Sequence, residues 1–339
     1  MDVIRKKQIF ENQQCIKTLT GHTYLVTCLL SMDQKTIASG GDDKTIKIWN
    51  IQNSQCIKTL TGHTSSVWCL LSIDQNTIAS GSDDKKIKIW NIQNSQCIKT
   101  LTGHTSSVWC LVLMDQNTLA SGSYDKTIKI WNIHNAECIK TLTGHTNLVF
   151  CFILIDQNTI ARGSSEKTIK IWNIQNSECI KTLTGHTNSV TCLLSIDQNT
   201  IASGSDDSTI KIWNIQDSEC IKTFKGHSKS VWCLLRIDPN IIASGSCDMT
   251  IKIWNIQNSQ CIKTLTGHTK TVWCLLLIDL NTCASGSYDE TIKIWNIQNS
   301  ECIITLTGHT DYVTCLLSID QNTLASGSGD KTIKIWKFD

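Results

Sequence analysis

One proline in 339 residues, Pro239, leaves nothing to build stiff linkers or a proline-rich tail from. Apolar runs are short as well. No stretch could span a bilayer, and Met1 to Gln13 carries Arg5, Lys6 and Lys7 but no apolar segment of signal-peptide length. A soluble protein that stays in the cytoplasm is the expectation. Neither sign of charge prevails: 31 Lys and Arg face 29 Asp and Glu, a formal charge of +2. Most lysines sit at repeated positions such as Lys47 and Lys58, so no basic stripe for nucleic acid forms. No Cys-x-x-Cys occurs, and His134 is the one histidine outside a repeated Gly-His pair. Zinc-ligand spacing is thus missing, and neither a metal nor a cofactor is expected.

What the chain has is repetition. A Gly-His pair recurs every 41 residues, from Gly21-His22 and Gly62-His63 to Gly308-His309, and a tryptophan keeps the same period from Trp49 to Trp336, closing Ile-Lys-Ile-Trp each time. Such a short unit cannot bury its own apolar residues, so it must stack on copies of itself, and a period near forty residues points to propeller blades. The periodicity runs unbroken from Gln14 to Trp336. We therefore read 14–339 as one domain of eight repeats and 1–13 as a leader with no assigned role.

Within a unit the apolar period is two, as in strands. Val67 to Leu71, Thr77 to Gly81, Lys86 to Trp90 and Gln96 to Leu101 read as four strands, with turn formers between them. The chain opens on a fourth-type strand, Gln14 to Leu19, and ends on a third-type strand, Thr332 to Trp336. The expected fold is all-β: an eight-bladed propeller of four-stranded antiparallel blades, its ring closed by the N-terminal strand completing the last blade. Closure removes the exposed edges of the circle. The 18 cysteines fall in two series of eight, those of Cys15 and Cys28, with Cys247 and Cys283 apart. On the first and last strands of a blade the two series stand three spacings of about 4.8 Å apart, beyond disulfide reach. Reduced, mostly buried thiols are expected.

The Gly-His pair, the Ala-Ser-Gly-Ser strand, the Asp-Lys-Thr turn and the Ile-Lys-Ile-Trp strand together resemble the WD-repeat β-propeller family, over nearly the whole chain. Asn follows the tryptophan in seven repeats, and Lys337 in the eighth, where the family name expects Asp. That residue closes a strand, so the resemblance in fold is unaffected.

Each repeat also holds a serine, a histidine and an aspartate, which suggests a catalytic triad. The resemblance implies otherwise: His22, Ser39, Asp43 and Trp49, and their equivalents, would form a structural hydrogen-bond network. Eight identical interior copies suit a scaffold and not an enzyme. The fourth repeat departs twice, with Arg162 in place of Ser and Glu166 in place of Asp. Two readings stand open: the pair is coupled as a buried ion pair, or the blade is looser and Arg162 snorkels to the surface.

Variation between repeats gathers at three positions that, by the resemblance, face the wider surface around the central channel, where partners dock. Five residues after the histidine stand Thr27, Trp68, Trp109, Phe150, Thr191, Trp232, Trp273 and Thr314. Leu25, Leu148 and Tyr312 interrupt small residues three after it. Asp42, Asp83, Tyr124, Ser165, Asp206, Cys247, Tyr288 and Gly329 precede the turn acid. The candidate partner-binding set is accordingly Leu25, Asp42, Trp68, Asp83, Trp109, Tyr124, Phe150, Asp206, Trp232, Trp273, Tyr288 and Tyr312. Exposed aromatics anchor interfaces. The competing reading is that each tryptophan merely packs on the next blade's rim. Asp42, Asp83 and Asp206 beside the rings would favour a basic or methylated side chain through cation-π contact.

The expected function is a non-enzymatic scaffold that docks a protein or peptide partner on this aromatic top face, with neither nucleic acid nor membrane as partner. The alternative is small-ligand or glycan binding, lectin-like, at repeated aromatic sites. A monomer is expected, and near-identical units make a strand-swapped dimer the chief competing state.

Overall fold

The computed structural model describes residues 15–144, 147 and 149–338, with the side chains of 149 and 150 left out. The leader, His145 and Leu148 lie outside the described residues. Strands run from β1 (Cys15–Thr20) to β32 (Thr332–Lys337) and group into eight four-stranded antiparallel sheets. Blade 1 consists of β2 (Val26–Ser31), β3 (Thr36–Gly41), β4 (Ile46–Asn50) and β5 (Gln55–Leu60), in that order from inside outward. Blades 2 to 7 repeat it over 67–101, 108–142, 149–183, 190–224, 231–265 and 272–306. Blade 8 takes β30 (Val313–Asp320), β31 (Thr323–Ser328) and β32 from the C-terminus and β1 from the N-terminus. The ring is therefore closed as expected, with Leu19 opposite Ile333 and Thr20 opposite Thr332.

Alternation on the third strand explains the stacking. On β4, Ile46 and Ile48 face the following blade, and Trp49 faces the preceding one. Each seam consequently has a core of its own. Between blades 1 and 2, Ala38, Ile46, Ile48 and Leu60 meet Val67, Ile78 and Trp90. Between blades 8 and 1, Ala325, Ile333 and Ile335 meet Val26, Ile37 and Trp49. The eight network tryptophans are all at most 1% exposed, and removing one such ring costs about 3–5 kcal/mol.

Polar ties span the seams too. Lys17 Nζ donates to Ile51 O in the bottom turn of blade 1 at 2.7 Å, and Thr314 Oγ1 donates to Val26 O at 2.6 Å. Each outermost strand remains an edge, which a bulge interrupts: Ile48 pairs with Lys58 and Trp49 with Cys56, leaving Ile57 unpaired and 47% exposed. Bulges of this kind blunt edges against pairing with other chains.

The cysteine expectation needs correction in one series. No cysteine is disulfide-bonded, and the inner series of Cys28 is half-buried in the seams, but Cys56 and its counterparts from Cys97 to Cys302 are exposed. The bulge turns these thiols toward solvent, where Cys56 Sγ meets only groups of its own strand, Lys58 O at 3.3 Å and Thr59 Oγ1 at 3.6 Å.

Deleting residues 1–20 should lower the melting temperature by several degrees, because blade 8 loses its outer strand and Leu19 leaves the first seam. A truncated chain that melts with the full-length protein would show that the β2–β30 seam closes the ring unaided.

Candidate functional site

Two constellations of side chains stand out, one interior and one at the channel mouth. In the interior of blade 1, Trp49 Nε1 donates to Ser39 Oγ at 2.7 Å, and Ser39 Oγ lies 2.7 Å from His22 Nε2. His22 Nδ1 lies 2.8 Å from Asp43 Oδ2. The serine oxygen accepts from the indole and donates its proton to Nε2, so Nδ1 carries hydrogen toward the carboxylate. Asp43 also receives the backbone N–H groups of Thr23 at 3.0 Å and Thr45 at 3.1 Å, holding the turn at Lys44, whose φ is 69°. The same chain of bonds recurs in blades 2, 3, 5, 6, 7 and 8. At 0% exposure for Ser39 and 6% for His22, no substrate reaches it. Gly62 illustrates the fit of the Gly-His pair: its φ is +145° and a Cβ there would stand 3.3 Å from Trp90. Only glycine combines that backbone with that contact.

Burial and hydrogen bonding pull the acids in opposite directions. Burial alone would raise the Asp84 carboxyl, yet the hydrogen bond and charge of His63 and the N–H groups of Thr64 and Lys86 outweigh it and hold it at about 2. Asp207 is likewise held at about 2, by Thr209, Thr187 and His186 against burial. Burial pushes the His104 and His186 imidazoles below their ordinary value, against the opposing pull of Asp125 and Asp207.

Blade 4 departs from the other seven. Arg162 is 0% exposed, and none of its three guanidinium nitrogens has a hydrogen-bond partner. Trp172 Nε1, which a serine would have received, is also unpartnered. The snorkelling reading is thereby corrected, and Arg162 makes no hydrogen bond to Glu166, although the Glu166 charge still acts on the guanidinium. Glu166 Oε1 instead accepts from Thr168 Oγ1 at 2.8 Å. Alternation on the second strand of blade 4, β15 (Thr159–Ser164), puts Arg162 on the same side as Ile160, in the seam with blade 3, where burial pulls the guanidinium down to about 10 while Cys110, Asp125 and Glu166 pull it back up. Phe152 accompanies the change. A leucine stands at its position in every other repeat, and Phe152 reaches across to Gly122, whose added Cβ would meet its ring at 2.9 Å. Sequence reasoning passed over Phe152, although its uniqueness among the repeats was visible.

At the channel mouth a cavity of about 510 Å³ is lined by Leu25, Thr27, Trp68, Trp109, Tyr124, Thr191, Trp232, Trp273, Tyr288, Tyr312 and Thr314. Its rings form two ladders. Trp68 stacks on Trp109 at 4.2 Å and Trp109 on Tyr124 at 4.7 Å. In the second, Trp232 meets Trp273 at 4.9 Å, Trp273 stacks on Tyr288 at 5.2 Å, and Tyr288 meets Tyr312 at 4.8 Å. The ladders oppose each other across the ring, since Thr27, Trp68, Trp109 and Tyr124 recur four repeats later as Thr191, Trp232, Trp273 and Tyr288. Comparing repeats four apart would have revealed this half-turn relation from the sequence.

Of the partner-binding residues read from the sequence, Leu25, Trp68, Trp109, Tyr124, Trp232, Trp273, Tyr288 and Tyr312 line this cavity. Asp42, Asp83 and Asp206 do not; they are half-buried behind it, Asp42 Oδ1 accepting from Ser66 Oγ and Asp206 N–H donating to Ser189 O at 2.9 Å. Phe150 is on a strand of blade 4, and its side chain lies outside the described residues. Thr27, Thr191 and Thr314 line the cavity although sequence reasoning set them aside. No group of three metal-ligating side chains occurs among the described residues.

The family profile described as "WD domain, G-beta repeat" matches eight times, over 13–50, 54–91, 95–132, 136–173, 177–214, 218–255, 259–296 and 300–337. The chain belongs to the WD40 family. A crystallised protein similar to this WD40 chain is the computationally designed Ika8, 33% identical, with a TM-score of 0.87 over 96% of this chain and 100% of the other. No curated protein matches. WD40 propellers are typically scaffolds for protein interaction and generally non-enzymatic. No helix among the described residues is long and apolar enough to cross a membrane.

The depressed groups contribute stability above their unfolded values, which is lost as pH falls through the folded ones. The melting temperature should begin to drop as pH passes below about 6.5, through His104 and His186, and drop further between about 4 and 2, as Asp84 and Asp207 take up protons; a flat profile from pH 7 to 3 would refute this linkage. Restoring blade 4 to the repeat pattern with Phe152→Leu, Arg162→Ser and Glu166→Asp together should raise the melting temperature by about 4 °C or more, for a gain of about 2 kcal/mol or more. A lower melting temperature would mean that Arg162 is satisfied in solution.

Proposed function

We propose that this WD40 propeller is a non-enzymatic platform that docks a protein or peptide partner over the aromatic mouth of its channel. One observation carries the proposal: the two opposed ladders gather seven of the chain's aromatic rings around a single cavity of about 510 Å³. Aromatic clusters that size on a protein surface are the usual anchors of interfaces. The rings do pack on neighbouring blades, as the competing reading holds, yet the stacked rings still line the cavity. Packing and recognition therefore use the same side chains. Separate glycan pockets, one per blade, fit less well with a shared cavity to which blade 5 contributes only Thr191 and blade 1 only Leu25 and Thr27.

The test is capture of partners from a lysate of the source organism by the native protein and by Trp68→Ala, Trp109→Ala, Trp232→Ala, Trp273→Ala, with circular dichroism showing the variant folded. A partner identified by mass spectrometry should bind the native form, with one site by titration, and be lost from the variant. Identical binding by both forms would overturn the proposal, and several equivalent sites for a sugar would favour the glycan reading.

A further inference from the structure

If the mouth is the docking surface, the way its rings stack decides what can enter. Trp109 has a ring on each face, Trp68 and Tyr124. Trp273 lies between Trp232 and Tyr288, and Tyr288 between Trp273 and Tyr312. All of these rings line the cavity, so the three inner ones line it with their edges alone. An aromatic edge is the positive end of the quadrupole, whereas a cation is drawn to the negative face. The faces a cation would need are turned on one another.

The polar points of the lining are largely used up. Trp232 Nε1 donates to Cys247 Sγ at 2.7 Å, and Trp68 Nε1 and Trp109 Nε1 are buried without a partner. Those three indoles therefore show the cavity carbon and hydrogen. Thr27 Oγ1 donates to Gly40 O at 2.9 Å, Thr191 Oγ1 to Gly204 O at 3.0 Å and Thr314 Oγ1 to Val26 O at 2.6 Å, so the hydroxyl protons are spent on the backbone. Burial pushes the phenols of Tyr124, Tyr288 and Tyr312 above their ordinary value, and they stay neutral.

Among the described residues no Asp, Glu, Lys or Arg lines the cavity. A charged group entering it would leave water without a counter-ion to meet. The basic or methylated side chain expected from Asp42, Asp83 and Asp206 accordingly finds neither a carboxylate in the lining nor a cage of open ring faces.

We propose that the space between the two ladders is a subsite for a neutral aromatic ring, the side chain of a phenylalanine, tyrosine or tryptophan in the docked peptide. The ladders stand half a turn apart around one cavity, so a ring entering along the channel axis turns one face to each. Two rows of positive edges then meet two negative faces, the edge-to-face arrangement that aromatic pairs favour. The volume of about 510 Å³ is that of pockets which enclose small ligands. A saturated ring of similar outline buries a similar apolar area but has no quadrupole to offer. Arginine and lysine bring their charge to the wrong pole.

The probe is the capped tripeptide acetyl-Gly-Phe-Gly-amide, titrated against the full chain by tryptophan fluorescence and aromatic-side-chain NMR. Controls carry cyclohexylalanine, pentafluorophenylalanine or arginine in place of phenylalanine. Phenylalanine should bind at least about fivefold more tightly than cyclohexylalanine, the factor expected from two edge-to-face contacts. Pentafluorophenylalanine, whose face is positive, should lose the same factor although it is the more apolar ring. In Trp109→Leu with Trp273→Leu, shown folded by circular dichroism, phenylalanine and cyclohexylalanine should come within about twofold of each other; should that variant not fold, the peptide series on the native protein decides. Equal binding of phenylalanine and cyclohexylalanine, tightest binding of the fluorinated ring, or tighter binding of arginine overturns the subsite. If no tripeptide binds while the partner capture described above succeeds, the subsite falls and the docking mouth stands; if phenylalanine binds with the expected preference while capture fails, the subsite stands and the partner reading falls.

Discussion

The tryptophan of each third strand is the interaction on which the rest of the molecule depends. Its ring fills the seam with the preceding blade, and its indole N–H feeds a serine, a histidine and an aspartate that fix the strand and turn geometry of its own blade. Apolar burial and polar satisfaction therefore meet in one side chain. A 41-residue unit has no core without its neighbours, so the eight seams, not the eight blades, are the units of stability. Ring closure through β1 completes the last of them.

Blade 4 shows what happens when that arrangement is broken. Replacing the serine by Arg162 leaves an indole and a guanidinium without hydrogen-bond partners in the same seam. Phe152 fills space that a leucine occupies elsewhere, so shape is partly restored while polarity is not. An unpaired buried charge is among the costliest features a fold can carry, and the seven intact networks keep the ring closed around it.

At the mouth the strand positions are the same in all blades but the side chains differ. Where threonine stands, its hydroxyl ties one blade to the next, as Thr314 does to Val26. Where tryptophan stands, stacking does so instead, and the ring adds surface to the cavity. Recognition has thus been placed on positions whose other task is to hold neighbouring blades together. The half-turn relation between Trp68, Trp109, Tyr124 and Trp232, Trp273, Tyr288 makes two sides of the mouth alike.

The period of the Gly-His pair and of Ile-Lys-Ile-Trp determined the fold, the blade count and the closing strand, because a repeated pattern of period two has few ways to bury itself. The identity of the mouth residues was also legible, since only variable positions depart from the repeat. Tertiary structure decided the rest. Whether Arg162 pairs, surfaces or stays buried depends on what blade 3 presents across the seam, and no local pattern records that. Exposure of the Cys56 series depends on a bulge that strand periodicity does not announce. Which ring faces are free depends on distances between residues a full repeat apart: Trp109 and Trp68 are the same residue type at the same repeat position, yet only assembly of the ring covers one on both faces and leaves the other at the end of a stack.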